Sequence, residues 1–210
     1  MQIAIFARAP VAGAAKTRLI PRLGAAGAAR AHRSMVLCAI DNALRAALGP
    51  VTLWTAGDAD HRFFRALRRS GHIARVHPQR GDDLGARMAH CLASLLPAGP
   101  VLLMGSDCPA LGPPELQACA RSLEAGDDAV LIPAEDGGYV LVGAARELPP
   151  DIFRGIPWGQ DSVMEATRQR LAAHHLRWSE PALLWDVDHP RDLDRAAALS
   201  GLASARPRPP

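Results

Sequence analysis

Short runs of β-forming residues alternate with longer alanine-rich runs along this chain, and that alternation limits the fold more than any other feature of the sequence. "QIAIF" (2–6) precedes a loop and a helix over about 24–48, rich in Ala, Leu and Arg. "VTLWT" (51–55) precedes a helix over about 60–69, and "IARVHP" (73–78) one over about 84–95. "PVLLMGSD" (100–107) precedes a helix opening at Pro113 and Pro114, since proline suits a first turn. "DAVLIPA" (128–134) and "YVLVGAA" (139–145) flank "EDGG", the spacing of a hairpin or of a corner leading to an antiparallel strand. A helix over about 160–174, a last short strand in "ALLWDVD" (182–188) and a closing helix from Pro190 complete the order. Parallel neighbours need crossovers, so this order predicts a three-layer α/β domain over 1–200, with a mostly parallel sheet and a disordered tail over 201–210. In such a sheet ligands collect outside the carboxyl ends of the strands.

Composition narrows the class. With 49% hydrophobic residues, a chain of 210 buries a core without staples. Cys38, Cys91, Cys108 and Cys119 form no C-x-x-C pair, and the eight histidines show no zinc spacing, which points to a reducing, cytoplasmic home. The start "MQIAIFARAP" has no apolar core of a leader, and no run approaches the ~18 to 20 apolar residues of a membrane helix. A net charge of +3, with no basic stripe interleaved with aromatics, argues against nucleic acid as a partner.

The first loop, "ARAPVAGAAKTRL", sets Pro10, Gly13, Lys16, Thr17 and Arg18 directly after the first strand. Gly13 lets backbone amides approach an anion, Lys16 supplies a point charge and Arg18 a planar fork. The stretch suits a di- or triphosphate. It is not a Walker A loop, because position 15 is Ala and position 10 is Pro, and the dinucleotide fingerprint is also absent. Taken alone it could also be a solvated basic loop.

"GSDCPAL" ends a strand on Asp107, with Pro109 stiffening the turn. A lone strand-terminal aspartate is usually a cap. "WDVDHPRDL" repeats the pattern with Asp186 and Asp188, and two such carboxylates meeting at one crevice would repel unless a cation lay between them. A hard ion, Mg²⁺ or Mn²⁺, would answer that and also bind phosphate. Asp186 and Asp188 face opposite ways if the strand persists, so one of them reaches the ion, and Asp188 is the choice. Asp186 or Asp192 would then cap the last helix.

Three further stretches lie at the same edge. "QRGDDLGARM" opens a helix with Asp83 and Gly85, either as a nucleotide-binding turn or as a tight β-to-α connection. "EDGGYVLVG" carries Asp136, Gly137, Gly138 and Tyr139, either as an acceptor or sugar pocket with Asp136 deprotonating a hydroxyl, or as a plain hairpin. Trp158 in "IPWGQDSV" either lines that pocket or packs in the core. No histidine is assigned a catalytic role.

Together "FARAPVAGAAKTRL", "QRGDDLGARM", "GSDCPAL", "EDGGYVLVG", "PWGQDSV" and "WDVDHPRDL" resemble, in order, the radical-SAM/selenodomain-associated transferase 1 family, small bacterial transferases of the GT-A nucleotide-diphospho-sugar transferase superfamily. The resemblance covers nearly the whole chain except the tail. It implies a Rossmann-like GT-A fold, with Lys16 and Arg18 on nucleotide phosphates and Asp107 and Asp188 as metal ligands. Arg8 departs from the family's usual lysine, keeping the charge but changing its geometry. The implied activity is a Mg²⁺-dependent transferase, with Lys16, Asp107 and Asp136 as its catalytic residues. Its partners would be a nucleotide sugar or nucleoside triphosphate and a small-molecule acceptor, with no membrane partner. Glycosyl transfer is the leading reading, nucleotidyl transfer to a phosphorylated small molecule the alternative, and an inactive nucleotide-binding subunit the third.

Overall fold

Strand β1 (Gln2–Arg8) buries Ile3 and Ile5 towards one layer and Ala4 towards the other, as the two-residue period of a strand requires. Covered on both faces, it belongs inside a sheet. It pairs in parallel with β2 (Val51–Ala56) on one side and β4 (Val101–Gly105) on the other, and β2 pairs in parallel with β3 (Arg75–Pro78). The computed structural model describes residues 1–71 and 73–204. Among these, β5 (Ala129–Pro133), β6 (Tyr139–Ala144) and β7 (Trp178–Ser179) complete a seven-stranded sheet of order β3-β2-β1-β4-β6-β5-β7. β6 lies antiparallel between β4 and β5, and β7 runs parallel to β5.

The helices are α1 (Ile20–Ala46), α2 (Arg62–Arg69), α3 (Leu84–Leu95), α4 (Pro113–Glu124), α5 (Val163–Ala173) and α6 (Asp192–Ser204). Val36 of α1, Phe64 of α2 and Leu116 of α4 share one core cluster with Ile3, Ile5 and Leu102. Cys91 of α3 and Met164 of α5 share the other with Ala4, Trp54 and Leu103. The result is a three-layer α/β architecture built on a mostly parallel sheet.

Register aligns the strand exits. Arg8 lies beside Ala56, Thr55 beside Pro78 and Phe6 beside Gly105, so β1 to β4 all leave the sheet along one edge. Antiparallel β6 enters the sheet at that same edge, Leu141 beside Met104, which brings the "EDGG" turn there too.

Two boundaries differ from the sequence reading. The segment 182–188 is not a strand: only Leu184 pairs, in a single parallel bridge with Ala134. Pairing beside β5 falls instead to Trp178 and Ser179. The segment then leaves the sheet direction to bury Trp185 and Val187 against Leu19, an apolar gain that competes with extending the ladder. Helix α6 runs on to Ser204, past the point where the tail was expected to begin, and 205–210, the rest of that tail, lie outside the described residues.

Candidate functional site

A crevice of about 730 Å³ opens along the carboxyl edge of the sheet. The loop after β1 contributes Ala14 to Arg18, the exit of β4 contributes Ser106 and Asp107, the β5–β6 hairpin contributes Asp136 and Gly138, and the C-terminal segment contributes Asp188. A small apolar cluster holds the first and last of these together: Leu19, Met35, Trp185 and Val187 pack as one group. The Val187 N–H donates to the Asp107 carbonyl at 2.9 Å, so Asp188 follows immediately from a contact with the β4 exit.

Lys16 is the centre of the site. Its Nζ lies 2.9 Å from Asp107 Oδ2 and 2.7 Å from Asp188 Oδ1, and its side chain is 8% exposed. Its backbone adopts φ 47° and ψ 52°, the left-handed region that side chains rarely enter. Arg18 Nη1 donates to the other Asp188 oxygen at 2.8 Å. Burial opposes the lysine charge, but Asp107 and Asp188 outweigh it and hold the ammonium above its ordinary range. Burial likewise opposes the Asp188 charge, and Lys16, with Arg18 behind it, holds that carboxyl below the usual aspartate range. A paired, hydrogen-bonded arrangement is what a buried charge requires.

Among the described residues no cation forms an ion pair with Asp186, and Lys16 acts on it only at longer range. Burial, then the charges of Asp188 and Asp136, push its carboxyl up to about 6. Beside the carboxylates, His32 is buried, with Nε2 donating to the Arg8 carbonyl at 3.1 Å. Its Nδ1 faces Asp107 Oδ1 at 3.8 Å and has no hydrogen-bond partner among the described residues.

Comparison with known proteins places this edge in context. The family of uncharacterized proteins conserved in bacteria, DUF2064, matches residues 39–160. The chain belongs to this family. A solved structure from Desulfovibrio desulfuricans G20, described as a nucleotide-diphospho-sugar transferase, is 30% identical to this DUF2064 chain, with a TM-score of 0.80 over 90% of this chain and 82% of that one. CMP:2-keto-3-deoxy-manno-octonic acid synthetase complexed with CTP shares the fold at a TM-score of 0.61 and 16% identity, over 96% of this chain and 98% of that one. A nucleotidyl transferase from Methanothermobacter does so at 0.63 and 18%, over 97% and 99%. No curated protein matches the chain.

The DUF2064 structure gathers some of the residues singled out from the sequence and separates others. Asp107 caps no helix: the N-terminus of α4 is closed by Glu115 Oε2, which accepts the Gly112 N–H at 3.0 Å. Thr17 and Arg18 line the crevice, whereas Pro10 and Gly13 lie outside its lining. Asp83 and Gly85 are also outside it. Asp83 caps α3 by accepting the Ala86 N–H at 2.7 Å. Gly85 is a packing position, since a Cβ there would come within 2.3 Å of the Phe153 carbonyl. The α3 residues that do reach the crevice are Leu84, Arg87 and Met88, one helical face starting a residue beyond the cap.

The "EDGG" stretch is a hairpin turn whose tip borders the crevice. Asp136 Oδ1 accepts the Gly138 N–H at 3.0 Å, and the Gly137 carbonyl accepts the Met164 N–H at 2.8 Å, fastening the turn to α5. Gly137 itself is not in the lining, while Gly138, Tyr139 and Trp158 are. The two aromatic rings meet edge to face at 6.2 Å, and the Trp158 indole nitrogen is buried without a hydrogen-bond partner among the described residues. Sequence reasoning missed His32, Arg87 and the raised carboxyl of Asp186. A lone histidine in an alanine-rich helix carries no local signal. Arg87 was within reach, because α3 and its cap were legible and the i+3 and i+4 positions follow from them.

Proposed function

We propose that this chain is a transferase using a nucleotide-activated donor, most specifically a glycosyltransferase of the radical-SAM/selenodomain-associated transferase 1 kind. The observation that carries the reading is the meeting of Lys16 and Arg18 with Asp107 and Asp188 in the crevice. The 30% identical relative described as a nucleotide-diphospho-sugar transferase supports it.

The donor's phosphates lie over the loop of residues 14–18, where Lys16 and Arg18 meet the charge that develops on the departing nucleoside diphosphate. Asp136, at the tip of the β5–β6 hairpin, takes the proton of an acceptor hydroxyl as its oxygen attacks the anomeric carbon and the bond from that carbon to the diphosphate breaks. Tyr139 and Trp158 form the wall against which the sugar rests.

The donor set suits a hard divalent ion in part. Asp107 and Asp188 turn carboxylate oxygens to one shared point, but among the described residues no group of three or more His, Cys, Asp or Glu could hold a metal. Mg²⁺ or Mn²⁺ held by these two aspartates would therefore complete its shell with donor phosphates and water, a usual arrangement for Mg²⁺. When bound it would add charge neutralisation at the leaving diphosphate.

The test is a panel of UDP-, GDP-, CDP- and dTDP-sugars against the matching triphosphates, each with Mg²⁺, read by thermal shift and by product release. Nucleotide sugars should protect better, and nucleoside diphosphate should appear. Protection by one triphosphate with release of pyrophosphate onto a phosphorylated acceptor would replace glycosyl by nucleotidyl transfer. Binding without turnover of any donor would leave an inactive nucleotide-binding subunit.

A further inference from the structure

Lys16 occupies the point that a divalent ion would need. Its ammonium is within hydrogen-bond distance of both Asp107 and Asp188, closer to each than two separate cations could share. The ammonium bridges one oxygen of each carboxylate, so an ion bridging the same two oxygens must displace it. Arg18 holds only the outer oxygen of Asp188 and leaves Asp107 to Lys16.

From this arrangement we infer that Lys16 is a built-in counter-ion that keeps free divalent ions off Asp107 and Asp188 until a nucleotide arrives. The inference rests on the nucleotide-transferase reading above. Without a nucleotide, displacing the ammonium would leave it buried and unpaired, which is costly. A bound polyphosphate changes that balance, because it offers the ammonium a second set of anionic oxygens in the same crevice, which Ala14, Ala15 and Thr17 also line. Lysine suits the exchange, being a compact charge on a flexible four-carbon stem. The chain should then take up the divalent ion together with the nucleotide, each raising the affinity for the other by the same factor.

Mn²⁺ titrations followed by electron paramagnetic resonance read this directly. The wild-type chain, Lys16→Met and Lys16→Gln are titrated alone and with UDP, GDP or CDP, with nucleotide-only titrations subtracted. Without nucleotide, both variants should bind Mn²⁺ at least tenfold more tightly than the wild type, and Mn²⁺ alone should raise the melting temperature of the variants but not of the wild type. Adding the preferred diphosphate should raise wild-type Mn²⁺ affinity at least tenfold. Lys16→Gln keeps an uncharged N–H donor at this position, and the wild-type comparison with and without nucleotide needs no variant at all. Equal, tight Mn²⁺ binding by wild type and variants without nucleotide overturns the inference while leaving the transferase reading intact. No Mn²⁺ binding by any form, with or without nucleotide, also overturns the inference, and the transferase reading falls with it only if no nucleotide or nucleotide sugar protects the chain.

Discussion

The carbonyl oxygen of Asp107 accepts the backbone N–H of Val187 at 2.9 Å. Through that bond the exit of β4 and the C-terminal segment are fastened side by side, and Asp188, the next residue, is delivered to the Lys16 ammonium that Asp107 also contacts. The carboxylate pair is thus held by backbone, and either side chain can be changed with the framework intact.

Asp107→Asn should therefore keep the fold. No helix cap is lost, because Glu115 closes α4, and the side chain is 39% exposed. Lys16 keeps its contact with Asp188 and the new amide oxygen can still accept from it, so stability should fall by roughly 1 to 3 kcal/mol, whereas the Mg²⁺-dependent part of nucleotide binding should disappear. Calorimetric titration with and without Mg²⁺ checks this; an unchanged Mg²⁺ dependence would show that Asp107 is not a ligand.

Arg18→Ala removes a mostly exposed contact to Asp188, so the melting temperature should move little. Triphosphate affinity should nevertheless fall by ~10- to 150-fold, the equivalent of a charge-assisted phosphate contact worth ~1.5 to 3 kcal/mol. Nucleoside affinity should hold. Equal losses for nucleoside and triphosphate would contradict a phosphate role.

Asp186 sets a pH dependence of definite sign. Its carboxyl is raised to about 6 from the ordinary 3.8, by burial and by Asp188 and Asp136. Between those two values the folded state holds the proton more tightly than the unfolded chain, so this group's contribution to stability falls as pH rises through that window. Asp186→Asn mimics the neutral acid, and its melting temperature should gain on the wild type from pH 4 to pH 7.5, measured without divalent ions. A constant difference across that range would mean that the carboxyl does not titrate there.

Gly137 and Gly159 form a matched pair of glycines with positive φ, +88° and +84°. At Gly159 a Cβ meets nothing within 4 Å, while at Gly137 it would lie 2.0 Å from the Asp161 carbonyl. Gly159→Ala should cost the backbone strain alone, about 1 kcal/mol. Gly137→Ala adds a clash with backbone that cannot rotate away and should cost at least ~2 kcal/mol more in urea unfolding. Similar costs at the two positions would show that the hairpin and the start of α5 can separate freely.

The elements legible in the residues follow from short-range physics. The core of β4, the opening of α4 at Pro113, the whole of α3 from Leu84 to Leu95 and the "EDGG" hairpin are each written in periodicity, caps or turn residues within a dozen positions. The alternation of these elements in turn limits the sheet to a mostly parallel one and brings the loops to one edge. Leu, Trp and Val at 184, 185 and 187 satisfy a local strand pattern, yet the closing segment forms no strand, because burial against Leu19 outweighs a further ladder in the packed molecule. The same holds for the site. Lys16 and Asp188 stand 172 positions apart, and that an ammonium fills the gap between the carboxylates is decided by the closure of the chain on itself. Local residues set which elements form; the identity of the cation between two aspartates depends on distances that exist only once the sheet, α1 and the C-terminal segment have packed together.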